Sequence, residues 1–288
     1  MTPQDFDYLR KFLRDRSGLV LAVEKQYLAE SRLLPVARRN DMSTLDELID
    51  RLKNRTSAPL SAEVVEAMTT NETFFFRDKI PFDHFRDTIM PTLIAARARE
   101  KRIRIWCTAA SSGQEPYSLA MAIKSMGAAI AGYRIDIVAT DLSSDVLEKA
   151  KAGIYSQFEV QRGLPVQLLV KFFDQVGETW RLAPELRSMV QFRPLNLLND
   201  FSVLGNFDIV FCRNVLIYFD QETKIAVLNR IARQMPEDGF LVLGAAETVI
   251  GLTEAFKPLA DKRGLYVLNS QHSTRGADNV IRLAAAKA

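Results

Sequence analysis

"FDIVFCRNVLIYFD", residues 207–220, decides how this chain is read. Phe207–Cys212 is an apolar run with a single early acid, Asp208, the pattern of a strand buried on both faces. The chain then passes without a spacer to Arg213-Asn214, and Tyr218 comes shortly after. A core strand that ends on a cation and an amide meets something polar at its carboxyl end. In open α/β sheets that is where ligands bind, at the topological switch point.

The surrounding sequence supplies the rest of such a sheet. "RIRIWC" (102–107), "RIDIVATD" (134–141), "MVQFRP" (189–194), "FLVLG" (240–244) and "GLYVL" (264–268) read as strands. "EPYSLAMAIKSMG" (115–127), "SSDVLEKAKAG" (143–153) and "QETKIAVLNRIARQM" (221–235) read as helices, with Pro116 in a first turn and Gly127 and Gly153 past helix ends. Strands alternating with helices predict a doubly wound α/β domain with a mostly parallel sheet. The alternation breaks between Tyr155 and Gln191, where a helix and short strands around a Val176-Gly177 turn predict a small inserted antiparallel β-subdomain. Residues 1–70 carry helical periodicity and no strand signal. Phe6, Leu9 and Leu13 share one face before Gly18, "EKQYLAESRLLPVARRN" (24–40) is expected to kink or break near Pro35, and Ser43 or Thr44 caps a third helix before a fourth at 61–70. The expected division is a helical domain at 1–70, a linker at 71–100, an α/β domain at 101–270 and a mobile tail at 271–288.

Composition narrows the function classes. At 48% hydrophobic and 25% charged the chain is ordinary for a globular protein, and no apolar stretch approaches the ~18 residues of a membrane span. The opening residues lack a secretory apolar core, so a cytoplasmic protein without membrane insertion is expected. A net charge of +3 is too mild to indicate nucleic acid. Cys107 and Cys212 lie in strand-like runs, as buried thiols rather than a disulfide framework. His84 and His272 are the only histidines and have no metal-ligand spacing, so neither a structural metal nor histidine-centred catalysis is expected.

The predicted strand ends carry the chemistry. After the first comes "TAASSGQEP" (108–116), a small-residue loop opening a helix, with one glycine and no phosphate-loop lysine. Glu115 at that helix start disfavours a phosphate and favours a cationic or hydroxyl-bearing ligand; its alternative role is to stabilise the helix N-terminus. After the second strand, Asp141 suits the two hydroxyls of a ribose, or else caps the next helix. Two acids at consecutive strand ends describe a nucleoside site without phosphates and with a cation nearby, which is the chemistry of S-adenosylmethionine. Asn196-Leu197 comes after the next strand and can meet an adenine edge, or merely make a turn. Before the sheet, "TTNETFFFR" (69–77) sets three phenylalanines among Asn71, Thr73 and Arg77. The aromatic run packs the helical bundle onto the sheet, and the polar residues are placed to project over the cofactor.

"TTNETFFFR", "SSGQEPYSLA", "ATDLSSDVLEKAKAGIY" and "FDIVFCRNVLIYFD", in that order, resemble the signature blocks of the CheR family, chemotaxis receptor glutamate methyltransferases. The resemblance runs from about residue 5 to 268 and implies a class I methyltransferase fold behind an N-terminal helical domain. It implies that Asn71, Thr73, Arg77, Glu115, Asp141, Asn196, Leu197, Arg213 and Asn214 contact S-adenosylmethionine, with S-adenosylhomocysteine as product. It further implies that Arg77 and Tyr218 are catalytic, and that Lys25, Arg32, Arg38 and Arg39 dock the acidic cytoplasmic helices of methyl-accepting receptors. The chain departs from the pattern at Gln114, where many relatives carry a second acid. It departs again in "KFFDQVGETWRL", a shorter arm that resembles the group not tethered to a receptor C-terminal pentapeptide. Rival readings are a nucleic-acid methyltransferase, which would want other residues at Arg213–Leu216, a dinucleotide oxidoreductase, which would want a glycine fingerprint, and a non-catalytic cofactor-binding adapter.

Overall fold

A computed structural model describes residues 1–55 and 57–269; the expected tail at 271–288 lies outside the described residues. Four helices come first: α1 (Pro3–Ser17), α2 (Gln26–Arg39), α3 (Leu45–Asn54) and α4 (Ala58–Met68). Thr2, Thr44 and Ser57 cap α1, α3 and α4 through their hydroxyls, and Gly18 closes α1 in the left-handed conformation. Of the two candidate caps for α3, Thr44 is the one used. The expected break at Pro35 does not occur, since α2 runs through it. Pro35 is exposed on a helix whose opposite side buries Leu33, Val36 and Ala37, so packing holds the helix together where local propensity would divide it. Leu9, Leu13, Leu33, Leu48 and Val64 form a core separate from that of the sheet.

The stretch expected as a linker at 71–100 is not all linker. It contains α5 (Ile80–His84) and α6 (Met90–Ala96), joined by a π-type turn at Phe85–Ile89. Phe82, Phe85, Ile89 and Leu93 bury this segment against the sheet. Then come β1 (Arg102–Cys107), α7 (Gln114–Ser125), β2 (Arg134–Asp141), α8 (Ser144–Ala152), β3 (Ile154–Ser156), α9 (Gln157–Gln161), α10 (Val166–Phe172), β4 (Phe173–Val176), β5 (Thr179–Leu182), α11 (Pro184–Arg187), β6 (Val190–Pro194), β7 (Ile209–Cys212), α12 (Gln221–Ala232), β8 (Phe240–Leu243), β9 (Phe256–Pro258) and β10 (Leu265–Leu268).

The seven-stranded sheet has the order β6-β2-β1-β7-β8-β10-β9. β6, β2, β1, β7 and β8 are parallel, while β10 runs antiparallel between β8 and β9. This is the expected doubly wound domain, with the antiparallel β10 next to the edge strand β9. Alternate residues of β1 enter opposite cores: Ile105 and Cys107 face one layer, Trp106 the other. The order reverses between β1 and β7, which places "TAASSG" and "RNVLIY" side by side at the switch point. β3, β5 and β4 make the separate antiparallel sheet of the inserted subdomain, with Gly177 (φ 60°) in its hairpin turn.

The helical domain rests on the carboxyl edge of the sheet. Val20 N–H donates to the Tyr218 carbonyl at 2.8 Å, and Arg14 pairs with Asp220 at 2.7 Å. Gly18 lies against Phe219 with φ 76°, and a Cβ built there would fall 2.8 Å from the phenyl ring. Gly18→Ala is therefore expected to destabilise the chain by about 1 kcal/mol or more, through backbone strain and a displaced Phe219. Chemical denaturation of the variant beside the parent measures it.

Candidate active site

The residues picked out at the strand ends converge on one cleft between the helical domain and the switch point. Asn71, Thr73, Arg77, Glu115, Asp141, Asn196, Leu197, Arg213, Asn214 and Tyr218 all line it. Ser17, Leu19, Thr69 and Thr70 close its other side from the helical domain. Sequence reasoning did not anticipate that wall, because it depends on how two separately cored domains pack.

The floor is the loop after β1. Thr108 N–H donates to the Phe211 carbonyl and Ala110 N–H to the Thr140 carbonyl, both at 2.9 Å, so the loop is tied to strands on either side. Gly113 (φ 93°) starts α7 where a Cβ would stand about 3.0 Å from Ala150 and Tyr117, so a side chain there would crowd its neighbours as well as strain the turn. Asp141 stands beside this loop, accepting from Ser111 N–H at 2.8 Å and from Ser143 N–H at 3.0 Å. The cap of α8 is Ser143 rather than Asp141. Asp141 thus braces the cleft floor, with its carboxylate on the pocket wall. Both it and Glu115 are only 8% exposed.

Glu115 sits in the first turn of α7, and its Oε2 accepts from Arg213 Nη1 at 2.7 Å. Burial raises the pKa of Glu115, and the Arg213 charge and hydrogen bond oppose the rise. Burial likewise raises Asp141, opposed by the backbone N–H groups it accepts from. Asp141 has no cation partner among the described residues and Glu115 shares Arg213 with Asp78, so the cleft can take a cationic ligand.

Arg213 ends β7 and is itself buried. Its Nη2 donates at 2.8 Å both to the Arg77 carbonyl and to Asp78 Oδ2. Asn214 adopts φ 57°, and the turn after it is held by an acid that sequence reasoning missed: Glu247 accepts from the N–H groups of Asn214, Val215, Leu216 and Gly244 at 2.8–3.0 Å. Glu247 lies just beyond β8, in "FLVLGAAE" (240–247), and the strand-end rule that singled out Glu115 and Asp141 applies to it equally. Tyr218 ends the turn Leu216–Tyr218, half-buried, and its hydroxyl makes no hydrogen bond among the described residues.

The linker phenylalanines divide their work. Phe75 is buried edge-on to Tyr155 and Phe173, so it anchors the segment to the sheet and the inserted subdomain rather than to the bundle. Phe76 packs edge-on to Phe82, and Phe74 lies under both Arg77 and Arg162. The Asn71 carbonyl accepts from Ser111 Oγ at 2.8 Å, and Arg77 Nη1 donates to the Glu72 carbonyl at 2.6 Å.

Two sets of expected contact residues already have partners within the chain. Asn196 is on the wall, but its amide is committed: Nδ2 donates to the Arg16 carbonyl at 2.6 Å and Oδ1 accepts from Leu198 N–H at 2.9 Å. These bonds tie its side chain into the turn, beside Leu197. Among the basic residues of the second helix, Arg32 donates to the Met68 and Thr69 carbonyls at 2.9 Å, and Arg39 pairs with Glu63 at 2.8 Å. Arg32 serves the carboxyl end of α4. Lys25 and Arg38 are exposed and have no ion pair among the described residues.

Profiles of two families match consecutive parts of this chain. Residues 4–69 match the all-alpha domain of CheR methyltransferases, and residues 71–265 match their SAM-binding domain. The chain belongs to the CheR methyltransferase family. It is a methyltransferase, and its cofactor is S-adenosylmethionine. It is 43% identical over 267 residues to chemotaxis protein methyltransferase 1 of Pseudomonas aeruginosa, covering 91% of this chain and 96% of that one. It is 40% identical over 265 residues to chemotaxis protein methyltransferase Cher2 of Pseudomonas putida, with the same coverage. Identity to chemotaxis protein methyltransferase 1 of Vibrio cholerae is 38% over 268 residues, covering 92% of this chain and 96% of that one. The cleft of this CheR-family chain fits the cofactor: two buried carboxylates suit an ammonium group and a ribose, and Leu142 and Leu197 offer apolar surface to a base.

The raised carboxyls predict a pH dependence. As pH falls, Glu115 and Asp141 take up protons before ordinary carboxyls do and lose the charge that a cationic ligand needs. Affinity for S-adenosylhomocysteine is expected to weaken on acidification, starting above the ordinary carboxylate range. In the ligand-free chain the sign is opposite: groups raised in the folded state cost stability as pH climbs from the ordinary carboxylate range through their folded pKa. Calorimetric titration from about pH 8 to about pH 5 checks the first, and Asp141→Ala is expected to weaken binding about tenfold or more at neutral pH with the fold retained.

Proposed function

We propose that this methyltransferase esterifies glutamate side chains on the cytoplasmic helices of methyl-accepting chemoreceptors, releasing S-adenosylhomocysteine. The observation that carries the reading is the arrangement of the cleft: Glu115 and Asp141 lie deep at the switch point, and Arg77 and Tyr218 line the same cavity. Membership in the CheR family and relatives named as chemotaxis methyltransferases support the same substrate. A cytoplasmic location accords with it; no helix among the described residues is long and apolar enough to cross a membrane.

Bound, the cofactor supplies an electrophilic methyl group on a sulfonium. Asp141 is placed to accept from the ribose hydroxyls and Glu115 to hold the ammonium end. Asn71, Thr73 and Asn214 bound the cavity around them, with Leu197 and the Asn196 backbone toward the base. The nucleophile is a glutamate carboxylate, ordinarily ionised at neutral pH with a pKa of about 4.3, so no general base is required. What remains is geometry: the carboxylate oxygen must be held near the methyl carbon, in line with the breaking bond. An arginine can orient a carboxylate through two parallel hydrogen bonds. Charge is lost as carboxylate and sulfonium react, so tight pairing to Arg77 would favour the ground state. Arg77 and Tyr218 therefore position the substrate rather than activate it.

For docking, Lys25 and Arg38 offer unpaired charge to an acidic helix, and Val20, Val23, Tyr27 and Ile217 add exposed apolar surface, Tyr27 being 68% exposed. Val20 and Ile217 belong to one rim, joined by the Val20–Tyr218 backbone bond. Complementary charge makes association sensitive to salt. Raising ionic strength is expected to increase KM for receptor without changing affinity for S-adenosylhomocysteine, and a KM independent of salt would remove the electrostatic part of docking.

Radiolabelled methyl transfer to receptor-rich membranes tests the reaction. Base-labile label on a glutamyl peptide is expected; cofactor binding without label would make the chain an adapter. Tyr218→Phe is expected to lower turnover about tenfold or more while S-adenosylhomocysteine still binds. Loss of cofactor affinity in that variant would move Tyr218 from substrate to cofactor.

A further inference from the structure

We propose that Asp78 is a positioning residue for methyl transfer: with Arg213 it forms an ionic clamp on the backbone that carries Arg77. The inference rests on the reading of Arg77 given under the proposed function. Arg213 reaches out from the end of β7 with 1% of its side chain exposed. One guanidinium nitrogen bonds Glu115 at 2.7 Å; the other bonds the Asp78 carboxylate and the Arg77 carbonyl, both at 2.8 Å. The guanidinium also lies over the Phe82 ring, 5.6 Å from its centroid. A single buried cation thus joins the acid at the cofactor end of the cleft to the peptide unit that presents Arg77.

The backbone there needs such a hold. Phe76, Asp78 and Lys79 have φ of 53°, 66° and 48°, and none is glycine. Left-handed residues of this kind cost free energy and persist only where their surroundings fix them. On the Phe76 side the fixing groups are Ser118 Oγ, which accepts from Phe76 N–H at 3.0 Å, and the Phe76–Phe82 contact. On the Asp78 side the Arg213 contact is the long-range one. The Asp78 side chain is 36% exposed, so packing does not hold it, and the ion pair carries that end of the turn. The Arg77 guanidinium is steered in turn by the Glu72 carbonyl and the Phe74 ring, so its reach into the cleft depends on the placement of its own backbone. With Asp78 in place, that placement is coupled to Glu115 through a side chain that has no room to move.

Asp78→Asn separates this role from folding. Asparagine matches aspartate in shape and tolerates positive φ, so the turn is kept and only the charge is removed. With the full chain, receptor-rich membranes and S-adenosylmethionine, kcat is expected to fall about tenfold or more while the Kd for S-adenosylhomocysteine stays within about twofold. In the double variant with Arg77→Ala, Asp78→Asn is expected to add little further loss, because both act through one side chain. Unchanged kcat in Asp78→Asn would overturn the clamp, as would a Kd that weakens in step with kcat, which would make Asp78 a cofactor-site residue. Arg77→Ala run in parallel keeps the two ideas apart. If Arg77→Ala retains kcat, the reading of Arg77 fails and the clamp falls with it. If Arg77→Ala loses turnover and Asp78→Asn does not, the clamp alone is wrong.

Discussion

The cleft depends on a buried cation. Taking a guanidinium and a carboxylate out of water costs several kcal/mol per ion, and the cost is recovered only when the pair is close and well hydrogen-bonded. Arg213 meets that condition at its two Nη atoms through Glu115, Asp78 and the Arg77 carbonyl, while its buried Nε has no partner among the described residues. Two carboxylates against one guanidinium leave the group one negative charge in excess. Glu115 lines the cleft and Asp78 does not, so the arrangement supports the Arg77 turn while leaving Glu115 as the acid on the cleft side. Burial, with the nearby Glu247 charge adding to it, still raises the Glu115 pKa despite the adjacent arginine.

Around that centre each structural layer holds the next. β1 and β7 meet at the reversal of strand order, so the loops after them are neighbours without any long connection. Glu247 gathers four N–H groups and fixes the turn from Asn214 to Leu216, which in turn sets Tyr218. Tyr218 offers its carbonyl to Val20, and so the helical domain is registered against the same turn that carries the candidate catalytic side chain. The close fit of Gly18 to Phe219 and the bond from Asn196 to Arg16 complete that seam. The helical domain therefore forms one wall of the cleft.

Much of this was readable locally. The strands over 102–107 and 134–141 have the boundaries their apolar patterns predict, because residues buried on both faces leave a continuous signal. Glu115, Asp141 and Arg213-Asn214 were legible as residues of the cleft because strand ends in such sheets have a known relation to ligands. The short β9 was not legible, since three residues paired at an edge carry almost no periodicity. The helices at 80–96 were hidden by prolines near their starts and by a π-type turn between them.

The sequence by itself determined the fold class, the division into helical, α/β and inserted parts, and the strand-end and linker side chains that meet in the cleft, because burial period and strand-end chemistry are properties of short stretches. Only the tertiary structure decided how those side chains are spent. Arg32 and Arg39 look like free charges in a helix sequence, yet one serves the end of a neighbouring helix and the other an ion pair. Asn196 looks like a ligand contact, yet its amide is committed to the backbone around it. Arg213 looks like a residue reaching for a ligand, yet it is the buried bridge between Glu115 and Asp78. Hydrogen bonds between residues distant in sequence leave no trace in local pattern, and they settle which groups remain free for chemistry.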